Sequence, residues 1–284
     1  DVAYKWLGRL RGGLYLATIA GQAAFGGISG STVVDATVFT RTALPQMLRY
    51  GYPKTYAGAC MVATGSFAAM IPPSITMVIY GILTEVSIGQ MLIAGIVPGL
   101  VSAAIYALAT VLVVRVKPEI GPPAKERVTW AERFGALRGL WVMIVLFGVV
   151  MGGLYAGIFT PSGAGAVGAF GTFVVALLRR RLGWEGLWKA ARTSAVLTTV
   201  IFVVIIGGLL FSRLLVMVGF IDAFGPLVLQ VTRSPLGIIF LFSLMYLVLG
   251  CLIDTTSMMI VTLPFVFPVI KQAGIDPIWF GILM

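Results

Sequence analysis

Thr64-Gly-Ser-Phe-Ala-Ala-Met-Ile-Pro-Pro-Ser74 lies inside sixty consecutive residues, Thr55 to Val114, whose only charged member is Glu85. A stretch this apolar is long enough for two membrane crossings of about 20 residues each. Pro72 and Pro73 interrupt a helix where no water is present to satisfy the freed amides and carbonyls. Backbone left loose at bilayer depth persists only where it is buried in protein or lines a cavity. In membrane transporters such broken helices bind ions and substrate.

The remainder of the chain has the same character. Hydrophobic residues make up 59% and charged residues 11%, against about 25% charged in soluble domains. Runs of about 20 apolar residues recur throughout, which defines an all-α polytopic membrane protein. Asp1-Val-Ala-Tyr-Lys lacks both an initiator Met and the apolar core of a leader, and Met284 falls inside another apolar segment. The expectation is an internal fragment of a longer chain. The net charge of +10 resides in short clusters between apolar runs, where it signals topology rather than nucleic-acid binding. Histidine is absent, which removes Ser-His and Cys-His nucleophile pairs, imidazole metal sites and the usual general base. Cys60 and Cys251 stand alone, without disulfide or metal-site spacing. These features predict a protein that is not an enzyme, needs no cofactor or transition metal, and has the lipid bilayer as its surroundings.

The basic residues order the spans. Gly139–Leu178 has no charge over 40 residues and fits two spans. Within it, Thr160-Pro161 reads as an N-cap followed by the first helical position. Paired spans return the chain to one side, so Arg49/Lys54, Arg115–Arg138 and Arg179–Arg192 face a single compartment, the cytoplasm by the positive-inside rule. Gly13–Thr40 has only 28 residues, with Gly26-Gly-Ile-Ser-Gly-Ser31 in its middle. It is either one broken crossing or a hairpin that enters and leaves on one face. The hairpin fits the charge rule better, placing 17 of the 20 basic residues inside. After Arg192, a span near Thr193–Ser212 follows an amphipathic surface segment, Trp184–Arg192. Pro235–Ile270 then forms a second hairpin opening from the other side, with Asp254 near its tip.

A shift of 223 residues aligns the two hairpins without a gap: Gly27 on Gly250, Thr32 on Thr255, Pro45 on Pro268 and Gly51 on Gly274. These positions set the tip, the exit of the second arm and the following turn. Opposite entry sides make the copies an inverted repeat, a pattern that places a binding site near the midplane. The same shift puts the partner of Pro72-Pro73 at 295–296, past Met284. The chain thus divides into a first repeat, 1–138, and a second, C-terminally incomplete repeat, 139–284. The first contains a hairpin at about 13–47, a broken helix at about 55–84, a span at about 86–114 and a cytoplasmic loop at 115–138. The second contains spans at about 139–159, 162–178 and 193–212, and a hairpin at about 235–270.

Hydroxyls, carboxylates and bare carbonyls bind hard monovalent cations such as sodium through oxygen. A first ion site draws on Ser29, Gly30, Ser31 and Thr32 at the tip, faced by Thr64, Gly65, Pro72, Pro73 and Ser74 at the helix break. The plain alternative for the tip is a small-residue helix-packing motif. A second site draws on Gly250, Asp254, Thr255 and Thr256. A carboxylate at bilayer centre costs at least ~2.5 kcal/mol, which favours a functional role, although an Asp at the membrane edge would also cap a helix. Asp35 is a candidate coupling carboxylate: an ion ligand, a proton carrier, or a partner for a neighbouring helix. Ser31 and Thr256 are candidate substrate contacts.

Gly27-Ile-Ser-Gly-Ser-Thr32, Pro45-Gln-Met, Gly51-Tyr52, Ile71-Pro-Pro-Ser-Ile-Thr-Met-Val-Ile-Tyr-Gly81 and Ala94-Gly-Ile-Val-Pro-Gly99 form an ordered set. With Gly152-Gly-Leu-Tyr-Ala-Gly-Ile-Phe-Thr-Pro161 and Gly274-Ile-Asp-Pro-Ile-Trp-Phe-Gly281, the set resembles the large permease subunit of tripartite ATP-independent periplasmic (TRAP) transporters, of the C4-dicarboxylate type. The resemblance covers essentially the whole chain. It implies an inverted-repeat transporter fold with two re-entrant hairpins, similar to the ion-transporter superfamily. It also implies sodium-driven, secondary active uptake of a small organic acid by an elevator mechanism in the bacterial inner membrane. The partners it implies are a periplasmic binding protein and a small four-span membrane subunit, separate or fused upstream. Pro161-Ser-Gly-Ala164 departs from the family's usual Pro-Thr-Glu-Ala. The alternatives are another ion-coupled carboxylate or anion transporter of related fold, or an ion channel with re-entrant loops.

Overall fold

The computed structural model describes residues 2–123, 129–137, 141–180 and 182–284. Residues 124–128 and 138 of the polar loop, residues 139–140 at the start of the next span, and Asp1 and Arg181 lie outside the described residues.

All regular structure among the described residues is helical. The first eight helices are α1 (Val2–Leu7), α2 (Gly13–Ser29), α3 (Thr32–Thr42), α4 (Leu44–Arg49), α5 (Lys54–Gly65), α6 (Phe67–Met70), α7 (Ile75–Thr84) and α8 (Ile88–Val116). They are followed by α9 (Trp130–Leu137), α10 (Trp141–Tyr155), α11 (Pro161–Leu178), α12 (Trp184–Met217), α13 (Phe220–Val231), α14 (Pro235–Gly250), α15 (Thr255–Gln272) and α16 (Pro277–Leu283). Four stretches, Ile88–Val116, Trp130–Tyr155, Pro161–Leu178 and Trp184–Met217, are long and apolar enough to cross a bilayer. Two further pairs qualify only as bent units: α5–α6 with α7, at 44°, and residues from Ala223 in α13 with α14, at 110°.

The helix ends follow from local chemistry. Thr160 accepts a hydrogen bond from the Gly163 amide at 3.2 Å, and Pro161 opens α11 as its first residue. Glu85 sits exposed in the turn between α7 and α8 with φ of 58°. Trp184–Arg192 differs from the sequence reading. It is not a separate surface segment but the start of α12, which runs unbroken for 34 residues. No Gly or Pro falls between Leu187 and Ile206 to stop it, and its length of about 51 Å exceeds a hydrocarbon core of about 30 Å.

The chain forms two compact units, one of residues 1–77 and 92–172, the other of residues 78–91 and 173–284. In the first, Leu14, Tyr15, Met47, Tyr52, Ala57 and Met61 form a buried core with Val114 and Ile120. Tyr15 and Tyr52 meet edge to face at 4.8 Å, and the Tyr15 hydroxyl donates to the Ile120 carbonyl at 3.0 Å. A phenol buried this deeply needs such an acceptor. In the second unit the core is Ile238, Phe242, Tyr246, Val266, Ile270, Ile275 and Phe280 with neighbouring aliphatic residues.

The two cores share a local pattern at the 223-residue offset. Gly51 and Gly274 both take positive φ, 84° and 69°. The Gly51 amide donates to the Leu48 carbonyl at 3.1 Å and the Tyr52 amide to Met47 at 3.0 Å. At the offset positions Gly274 donates to Lys271 at 3.1 Å and Ile275 to Ile270 at 3.1 Å. Each is a helix end closed by a left-handed glycine and an apolar residue folded back onto the core.

Candidate functional site

The first tip is built by two residues. Helix α2 stops because Gly30 takes φ of 60° and turns its amide back to the Gly26 carbonyl at 2.9 Å. Ser31 is extended, and its hydroxyl faces the Val34 amide at 3.5 Å as the N-cap of α3. The arms then run antiparallel, with the Phe25 and Phe39 rings 5.9 Å apart.

The tip rests on the double-proline break. The Ile75 amide donates to the Gly30 carbonyl at 3.1 Å. A Cβ on Gly30 would lie 2.6 Å from the Pro73 carbonyl oxygen, and one on Gly27 would lie 3.2 Å from that of Pro72. The glycines are therefore required by the close approach of two backbones. Among the described residues, nothing donates a hydrogen bond to the Pro72 or Pro73 carbonyl. The two prolines lack the amides that would bond back to the Ala68 and Ala69 carbonyls, and the Ser74 hydroxyl takes that place at Ala69. The Pro72-Pro73 peptide bond is cis. Ser74 is buried and caps α7, donating to the Ala69 carbonyl at 2.7 Å and accepting from the Met77 amide at 3.3 Å.

Gly65 lies against the tip residue Thr32, and Thr64 turns to α2. Gly65 abuts the first turn of α3, where a Cβ would meet the Ala36 methyl at 3.1 Å and the Thr32 carbonyl at 3.3 Å. The buried Thr64 hydroxyl bonds to the Gln22 side-chain oxygen and to the Cys60 carbonyl. Gln22 is fully buried and donates to the Met61 carbonyl at 3.1 Å. Thr64 thus engages α2 about two turns below the tip. Sequence reasoning passed over Gln22, although it is the only side-chain amide in Gly13–Thr40. A lone amide in so apolar a segment needs partners.

Asp35 is 0% exposed, and neither carboxylate oxygen has a hydrogen-bond partner among the described residues. It lies in the first turn of α3, where the helix N-terminus favours negative charge. A carboxylate buried without donors is tolerated only when it is protonated or has a cation beside it.

The second tip is more open. Asp254 is the N-cap of α15 and accepts from the Ser257 amide at 3.0 Å, yet remains exposed. Thr255 and Thr256 are half-buried, and a Cβ on Gly250 would meet nothing within 4 Å. Asp254 stands at the 223-residue offset from Ser31, so both second arms start with a side-chain cap. Behind it, the buried Tyr246 and Thr262 hydroxyls join the arms at 3.0 Å. Among the described residues, no three His, Cys, Asp or Glu side chains converge on a point. The oxygen-only donors of both tips suit a hard monovalent cation.

The whole chain, residues 1–284, matches the family described as "Tripartite ATP-independent periplasmic transporter, DctM component". It is 31% identical over 286 residues to the C4-dicarboxylate TRAP transporter large permease protein DctM of Pseudomonas aeruginosa, covering all of this chain and 66% of that protein. It is also 31% identical, with the same coverage, to the ectoine TRAP transporter large permease protein TeaC of Halomonas elongata. The isethionate TRAP transporter permease protein DctMQ of Oleidesulfovibrio alaskensis is 27% identical, and the chain covers 45% of it. The chain therefore spans 66% of the length of the large permeases it matches first. Those names are transporter permeases rather than enzymes. By its full-length match and its spans, this membrane chain belongs to the DctM-component family of TRAP transporters.

Proposed function

We propose that the chain forms most of the large permease subunit of a sodium-coupled secondary transporter that imports a small organic acid. The observation that carries this reading is the Gly30 tip resting on the Pro72-Pro73 break, beside two carbonyl oxygens that accept no hydrogen bond from the described residues. Sodium held by those carbonyls and the Ser29 and Ser31 hydroxyls would replace its hydration shell with protein oxygen and pin the tip to the break. Its charge would favour an anionic substrate beside Ser31. Gly250, Asp254, Thr255 and Thr256 form the corresponding half of a second ion site, with Thr256 facing substrate. In this reading the two hairpins are copies of an inverted repeat and move together as an elevator. Asp35 supplies a carboxylate behind the first tip that a bound cation would keep charged.

The relatives are named for C4-dicarboxylates, ectoine and isethionate, which supports a small organic acid without naming it. The DctMQ relative, of which the chain covers 45%, supports a small membrane subunit as partner, separate or fused. A periplasmic binding protein would deliver the substrate to an assembly in the inner membrane. Reconstitution of the full-length permease with its small subunit and binding protein tests the reading. Uptake should need an inward sodium gradient and binding protein loaded with an organic acid. Uptake indifferent to sodium, or ion conductance without substrate, would refute it.

A further inference from the structure

We propose that α1, α9 and the inner end of α8 form a binding site for one anionic phospholipid, with Arg133 as its phosphate ligand. The Arg133 guanidinium carbon lies 4.8 Å from the centre of the Trp130 ring and 6.0 Å from that of Trp6. The Trp6 indole donates to the Arg133 carbonyl at 3.3 Å and meets the Phe134 ring edge to face at 5.7 Å. The guanidinium is thus held between aromatic faces, and its buried Nε has no hydrogen-bond partner.

The nearest carboxylate in sequence is already occupied. Glu132 accepts from the Thr129 amide at 2.8 Å and hydroxyl at 2.9 Å, closing a capping box at the start of α9. Arg133 has no ion-pair partner among the described residues, although its planar fork suits a phosphate.

More positive charge converges on the same end of this unit. The Gly12 amide donates to the Gly121 carbonyl at 2.9 Å, and Gly12 lies against Val114. Arg11 precedes that contact in sequence, Arg115 and Lys117 follow Val114, and α1 carries Lys5 against α9. Apolar surface adjoins the charge: Trp130 is 65% exposed, Phe134 58% and Leu10 52%. Cations at the end of a membrane-spanning helix, bordered by exposed aromatic rings, complement a lipid with an anionic head and acyl chains. A free phosphate would satisfy Arg133 but leave the rings uncovered. The head lies against Arg133 and the chains run along Trp130 and Phe134.

Native mass spectrometry of the purified full-length permease in detergent tests this with three probes: phosphatidylglycerol, phosphatidylcholine and inorganic phosphate. Phosphatidylglycerol is expected to bind at least about fivefold more tightly than phosphatidylcholine, the effect of one cation near an anionic surface. Arg133→Ala should reduce that preference, and Arg133→Lys should restore part of it. Equal binding of the two lipids by the unaltered protein would overturn the proposal without recourse to any variant. So would an unchanged preference in Arg133→Ala, or displacement of phosphatidylglycerol by equimolar inorganic phosphate.

Discussion

Replacing Gly30 with alanine tests whether the first tip is a cation site assembled from backbone. Gly30 has φ of 60°, and an L-residue in that conformation costs about 1–2 kcal/mol. The added methyl would sit 2.6 Å from the Pro73 carbonyl oxygen. Both atoms are fixed to backbone, so the tip must retreat from the break. Retreat breaks the hydrogen bond from the Ile75 amide to the Gly30 carbonyl, now 3.1 Å, whose net worth is about 1 kcal/mol. The tip–break contact is then weakened by about 2–3 kcal/mol, or about 30- to 150-fold in the affinity of any ion that requires it. Gly250→Ala is the control, since its Cβ would meet nothing within 4 Å. The assay is thermal unfolding of the purified protein across a sodium titration, with potassium holding ionic strength constant. Gly30→Ala should move the midpoint of sodium stabilisation up by that factor, while Gly250→Ala leaves the first-site midpoint in place. An unchanged midpoint in Gly30→Ala would refute a sodium site between tip and break.

Gln22→Leu should lower stability by about 1–3 kcal/mol, because the Met61 carbonyl loses its donor and the Thr64 hydroxyl an acceptor; a melting temperature equal to that of the unaltered protein would contradict the buried lock. Asp254→Ala should abolish sodium-dependent uptake and remove a cap worth about 1 kcal/mol. Asp254→Asn should keep the cap and still lose uptake, and full uptake by Asp254→Asn would show that only the cap matters. Asp35→Asn removes a buried carboxylate that has no partner among the described residues, so the sodium-free protein should unfold at the same temperature or higher. A lower temperature would mean that the carboxylate has a stabilising partner.

Helical class and spanning character were legible because apolar periodicity and the positions of Lys and Arg depend only on composition along the chain. Thr160-Pro161 and Gly51-Tyr52 were legible for a different reason: an N-cap and a left-handed glycine encode their geometry within four or five residues. Gln22 was missed because its partners, Met61 and Thr64, lie about 40 positions away. Thr64 was grouped with the helix break that faces the first tip, and its bond to Gln22 of α2 could not be read from that grouping. The continuity of α12 was also missed, since Trp184–Arg192 is amphipathic whether it lies flat or extends a span.

The two tips, similar at the 223-residue offset, differ in what they require. Both second arms begin at a side chain that accepts an amide three residues on, Ser31 from Val34 and Asp254 from Ser257. At the first tip the cap is neutral, and the carboxylate, Asp35, lies one turn deeper and fully buried. At the second tip the cap itself is the carboxylate, exposed, and the position offset from Asp35 is Met258, a buried core residue. Negative charge has thus moved by one helical turn between otherwise parallel turns of chain. A cation at the first tip would be held mainly by neutral oxygens, with Asp35 acting at a distance. One at the second would compete with the Ser257 amide for Asp254. Sodium binding at the second tip should therefore loosen the start of α15, raising amide exchange at Ser257, while at the first tip it should slow exchange at Ile75.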